Sequence, residues 1–137
     1  MRMFHDIVFE GWMAKAGSTV YSDPIFIDRM GAADQIHVSG YASSVTGTSP
    51  TLTIGSEESI DRFHWVPRDS GIVNAAPLST VTETLFQGLD LDPSQFGKLG
   101  YLRIYLTLGG TSPQGFFRVW VTGRDWSQRS LAVPAAI

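Results

Sequence analysis

Three histidines, His5, His37 and His64, are the side chains of this sequence best suited to bind a transition metal or to move a proton near neutral pH. A zinc site needs ligands at close paired spacing, and neither a cysteine nor a carboxylate accompanies these histidines at a fixed offset. They read as structural residues, with His37 and His64 on segments able to face each other across adjacent strands. The acidic run Glu57, Glu58 and Asp61 holds enough oxygen for calcium but lacks the alternating Asp order, closed by Gly, of a calcium loop. It reads as a solvated strand connection, and so does Asp90-Leu91-Asp92. Serines are plentiful without a nucleophile-elbow pattern, and Gly109-Gly110 is not followed by a helix that would aim its N-terminus at a phosphate. The sequence thus assigns no catalytic residue, no cofactor and no metal ligand, and the expectation is a protein that is not an enzyme. A triad of scattered residues or a carboxylate pair would leave no mark in the sequence.

The elements that must carry any site are strands. Gly-Thr-Ser-Pro occurs at Gly47–Pro50 and again at Gly110–Pro113, each time between runs of alternating apolar and polar residues. Gly permits positive φ and Pro removes a backbone donor, so each copy reads as the turn of a hairpin. One hairpin would join Gln35–Ala42 to Thr51–Ile54, the other Tyr101–Leu108 to Phe116–Val121. Phe4–Met13 reads as a first strand, with Ile7 and Phe9 on one side and Phe4, Val8 and Trp12 on the other. Thr19–Asp28 reads as an edge strand broken at Asp23-Pro24, Ile60–Val66 as a strand, Pro67–Pro77 as a loop and Leu78–Leu91 as extended. Met30–Asp34 reads as a turn, and Asp92-Pro93 is suited to cap one helical turn. The fold class is all-β, an antiparallel two-sheet β-sandwich of about seven to nine strands and jelly-roll-like. Residues 1–126 form the sandwich. Residues 127–137 form a C-terminal arm that loses alternation and turns apolar at Leu131, Val133 and Ile137.

Strict alternation from Leu102 to Leu108 and from Phe117 to Val121 buries one face and presents the other. The outward set is Tyr101, Arg103, Tyr105, Phe116, Arg118 and Trp120, gathered by the second hairpin onto one surface. Large aromatics and arginines are enriched at protein interfaces, so these six, with Trp126, Leu131, Val133 and Ile137, are the candidate interface. Of the tryptophans, Trp12 and Trp65 read as core while Trp120 and Trp126 read as interface.

Composition narrows the partners. Charged residues make up 17% of 137 residues, below the roughly 25% of an average domain, so part of the surface is expected to face protein. A net charge of −3, with lysine only at Lys15 and Lys98, excludes a protein that lives by neutralising nucleic-acid phosphates. No apolar run reaches the roughly 18 residues of a membrane span. The chain has no cysteine, and His5 and Asp6 interrupt the stretch where a signal peptide would be apolar. Synthesis in the cytoplasm is the expectation.

The Gly-Thr-Ser-Pro hairpins, the Asp61-Arg62-Phe63-His64-Trp65 segment and the unpatterned tail give a chain that resembles, in general style, small virion proteins of tailed phages and related viruses. The head decoration or cement proteins and single jelly-roll capsid components are the members of that class it resembles. The resemblance implies a bacteriophage-type virion structural protein that forms a homo-oligomer, often a trimer in that class, and binds a capsid or other particle protein. Charge and the lack of an apolar span leave no nucleic-acid or membrane partner expected. Two other classes fit the same residues. A carbohydrate or cell-surface binding module would set Trp120, Tyr105 and Tyr101 in a shallow groove, and a small jelly-roll enzyme would bring His37 and His64 together with carboxylates.

Overall fold

The computed structural model describes residues 2–26, 36–90 and 101–125. Every regular element among them is a strand: β1 (Arg2–Ala14), β2 (Thr19–Tyr21), β3 (Ile25–Phe26), β4 (Ile36–Ser59), β5 (Val66–Pro77), β6 (Thr84–Asp90) and β7 (Tyr101–Asp125). The frame is one antiparallel ribbon. β4, 24 residues long, pairs with β7, 25 residues long, from Ile36 opposite Gly123 to Ser59 opposite Tyr101.

This pairing overturns the expectation of two hairpins. Neither Gly-Thr-Ser-Pro copy reverses its chain; each lies inside a long strand, and the two meet at the middle of the ribbon with Thr48 opposite Thr111. The positive φ that the motif supplies is real, at Gly47 (114°), Ser49 (50°), Gly110 (108°) and Ser112 (49°). It is spent on irregularities in register between Ser43 and Thr51, where extra residues bend a paired strand rather than end it. Pairing partner is a non-local property, so a local turn signal cannot separate a hairpin from a corner.

On one side of the corner the strand order is β6, β4, β7, β1; on the other it is β5, β4, β7, with β2 and β3 in succession along the far edge. β4 and β7 each lend one half to either sheet, and the result is an antiparallel β-sandwich of jelly-roll type. Inward rows from both sheets form one cluster: Val38, Ala42, Phe117, Val119 and Val121 from the first, and Leu52, Ile54, Leu102, Ile104, Leu106 and Leu108 from the second. Burying such a side chain contributes about 1.5–3 kcal/mol, which is why alternation read from the sequence picked the two β7 rows correctly.

Edges show where local reading works and where it fails. β2 and β3 are short and separated at Asp23-Pro24, as expected of a proline-broken edge. Ser22 fills the gap: its Oγ accepts the Ile104 N–H at 2.9 Å, and its own N–H donates to the Ile104 carbonyl at 2.8 Å. In β1 a bulge at Val8 shifts register between Ile7 and Phe9, so Ile7 pairs with outward Trp120 and Phe9 with buried Val119. Ile7 and Phe9 therefore lie on opposite faces, a correction to the expected facing. Pro67–Pro77, expected as a loop, belongs to edge strand β5, whose prolines stand at its ends and leave the central donors in place. Of Ile60–Val66, expected as a strand, all but Val66 is the connection between β4 and β5, and the segment from Leu78 becomes strand only at Thr84. Ser79 Oγ accepts the N–H groups of Val81 and Thr82, each at 3.1 Å, and so holds that connection in a bend. The expected turn at Met30–Asp34, the helical turn at Asp92-Pro93 and the arm at residues 127–137 lie outside the described residues.

Candidate functional site

Tyr101, Arg103 and Tyr105 alternate with buried residues on the first half of β7, and Phe116, Arg118 and Trp120 do so on the second half. Because the two halves of β7 belong to different sheets, the six do not make the single surface that a hairpin would give. They make two, one on the outer face of each sheet. Trp126, Leu131, Val133 and Ile137 lie outside the described residues.

The outer face of the β5 sheet is organised around Arg103. Its guanidinium carbon lies 4.1 Å from the centroid of Tyr21 and 4.3 Å from that of Trp65, so the cation is held between two rings. Its Nε donates to Glu57 Oε1 at 2.7 Å, and Nη2 lies 2.6 Å from the same oxygen. Glu57 stands directly opposite Arg103 in the β4–β7 ladder, which fixes the pair in register. Tyr105 lies over Gly55, where an added Cβ would come within 2.4 Å of the ring carbon Cζ. Partial burial raises the Tyr105 phenol above its ordinary range, and the charges of Glu57 and Asp69 add to the shift. Arg62 lies over the Tyr101 ring at 5.3 Å.

The outer face of the β6 sheet is more apolar. Trp12 and Phe116 pack edge to face with centroids 5.7 Å apart. Cross-strand register places Ile7 beside Trp120, and Leu85, Tyr41, Arg118 and Glu10 in a neighbouring row. Leu85 is 80% exposed and Trp12 59% exposed, which corrects the expectation that Trp12 fills core. Arg118 Nε lies 2.8 Å from Glu10 Oε2 in an ion pair whose angle does not make a hydrogen bond.

His37 and His64 do not converge. His37 is exposed near the start of β4, and His64 is exposed in the connection beyond its end. The ring of His64 pairs with Asp61, Nδ1 to Oδ2 at 2.7 Å. Among the described residues no group of three or more His, Cys, Asp or Glu side chains is placed to hold a metal ion. Asp61 accepts the backbone N–H groups of His64 and Phe63 as well as the Ser59 hydroxyl. Those bonds, that from the His64 backbone foremost and the His64 ring next, hold its carboxyl well below the usual carboxylate range.

Of the acidic run, Asp61 lies exposed in the connection between β4 and β5 as expected, but Glu57 and Glu58 belong to β4 and are not solvated. Glu58 is 1% exposed and forms an ion pair with Arg68, itself buried at 3%, while Glu57 is committed to Arg103. Parity gives the reason: Glu58 pairs with inward Leu102 and Glu57 with outward Arg103. Tyr21, Trp65 and Glu57 around Arg103 were missed by sequence reasoning. No alternation marks Gly55–Ser59, which is glycine followed by four polar residues, and only the pairing of β4 with β7 assigns their faces.

No protein-family model matches the chain, and no curated protein matches it in sequence. Solved structures do match in shape. The VP2 subviral particle of infectious bursal disease virus superposes with a TM-score of 0.57 at 11% identity, over 90% of this chain and 33% of that one. The Gt strain of the same virus gives 0.55 at 15% identity, over 88% of this chain and 32% of that one. In fold, the chain is similar to a viral particle protein. It spans about a third of the length of those virus chains. The CBM22-1 xylan-binding domain of Paenibacillus barcinonensis Xyn10C gives a TM-score of 0.45 at 15% identity, over 83% of this chain and 93% of that domain.

Proposed function

We propose that this chain is a virion structural protein of the head decoration, cement or capsid-associated kind, acting through contacts with copies of itself and with a particle surface. The observation that carries the reading is the outer face of the β6 sheet, where exposed Leu85, Trp12 and Ile7 flank half-buried Trp120, Phe116 and Tyr41. Monomers rarely leave a contiguous apolar patch of that kind uncovered. Aromatics with an arginine at the centre, here Arg118, are the residues that dominate protein contacts. The fold likeness to VP2 in a subviral particle supports the same reading. Leu131, Val133 and Ile137 add apolar side chains to assembly contacts, and Arg103 with Tyr101 and Tyr105 offers a second, more polar surface. In this reading the chain is not an enzyme, its localisation is the virion, and neither nucleic acid nor membrane is a partner.

Sedimentation of the purified chain tests the proposal. Self-association in the micromolar range is expected, and Trp120→Ala should weaken it while leaving the melting temperature within a few degrees. A chain that stays monomeric at high concentration and does not join any particle overturns the reading.

A further inference from the structure

The connection between β4 and β5 carries Phe63 at 81% exposure, from a backbone that is firmly held. Ser59 Oγ accepts the N–H groups of Arg62 and Asp61 at 2.8 and 3.2 Å, and Asp61 Oδ1 accepts those of Phe63 and His64 at 2.8 and 2.9 Å. Arg62, beside the ring, sits at a φ of 68°. An aromatic side chain fixed outside the core by four such bonds has lost its loop entropy before it meets anything, which is the condition under which a single anchor gives most affinity. Elsewhere, the Val8 bulge of β1 and the Asp23-Pro24 break between β2 and β3 lie together. They leave a cleft of about 210 Å³ lined by Ile7, Val8, Ser22, Asp23, Pro24 and Ile25. A cavity of about 150 Å³ holds a benzene ring, so the cleft admits a phenylalanine side chain. The charges are opposite as well: Arg62, exposed and next to Phe63 in the chain, has its guanidinium carbon 5.3 Å from the Tyr101 centroid, and Asp23 lines the cleft.

We propose that Phe63 of one copy seats in the cleft beside Pro24 and Ile25 of a second copy, with Arg62 set against that copy's Asp23. This rests on the self-assembly proposed above and names its contact. Arg62 lies over Tyr101, whose strand partner Phe26 follows Ile25 of the cleft, so ring and cleft are near one another and two copies satisfy the contact either reciprocally in a closed pair or head-to-tail around a ring.

Sedimentation equilibrium on the full chain, with melting curves as a folding control, tests the contact. Phe63→Ala is expected to weaken association about 30-fold, the effect of truncating a central anchor, with an unchanged melting curve. Arg62→Asp and Asp23→Arg should each weaken association, and the double variant should recover most of the loss because the charges are exchanged across the contact. Association that survives Phe63→Ala, or charge variants whose effects simply add, overturns this contact. If Trp120→Ala abolishes association in the same experiment, the assembly reading stands without it; a chain monomeric throughout overturns both.

Discussion

Gly47 and Gly110 occupy equivalent places on opposite strands, each against the backbone of the other's repeat. A Cβ at Gly47 would lie 2.8 Å from the Ser112 carbonyl oxygen, and one at Gly110 would lie 2.7 Å from that of Ser49. The corner of the sandwich is thus a local two-fold arrangement of one tetrapeptide on its own copy, and it sets where the ribbon leaves one sheet for the other.

Gly47→Ala and Gly110→Ala should each destabilise the fold by about 2–4 kcal/mol, since both combine a positive φ with a clash against backbone that cannot swing away. Because each site packs against the repeat that carries the other, the double variant should lose less than the sum. Urea unfolding measures all three, and strict additivity would show that the two copies do not act as one corner.

Glu58→Ala should cost about 3–5 kcal/mol, because it removes the carboxylate paired with the buried guanidinium of Arg68. Replacing both with apolar residues, Glu58→Met with Arg68→Leu, should recover much of that. A single variant as stable as the wild type in chemical denaturation would refute the buried pair.

Arg103→Lys keeps the charge near Glu57 but removes the flat guanidinium held between Tyr21 and Trp65. A loss of about 1 kcal/mol is expected. Tyr21→Ala in the Arg103→Lys background should then cost less than in the wild type, and equal costs in the two backgrounds would refute the stack.

Asp61 gives an acid-side prediction with a definite sign. The folded chain favours its carboxylate, so its contribution is whole above the unfolded group's pKa of about 3.9 and is lost as pH falls from there towards the depressed folded value. The stability gap between wild type and Asp61→Asn should therefore narrow steadily as pH falls from about 5 towards 2. Thermal melts across that range measure it, and a gap that widens on acidification would reverse the assignment.

Removing residues 131–137 should weaken self-association with little change in the melting curve, because the proposal assigns Leu131, Val133 and Ile137 to assembly contacts. Lower stability with association preserved would assign them to their own sandwich instead.

Alternation along the chain determined which side chains enter the core: Leu102, Ile104, Leu106 and Leu108 are buried as their period of two requires. Composition and the Asp23-Pro24 break likewise determined the all-β class and one broken edge. Tertiary structure alone decided which strand lies beside which. Gly-Thr-Ser-Pro fixes a local φ and nothing about a partner; two copies far apart in sequence become a corner only when β4 and β7 pair along their whole length. The same step split the outward aromatics between two faces, moved Ile7 outward through a bulge at Val8, and drew Glu58 inward to Arg68. Periodicity is a property of neighbours in the chain, and it survives folding. Pairing, register and the sheet to which a residue belongs depend on contacts between distant segments, whose free energy no local run of residues contains.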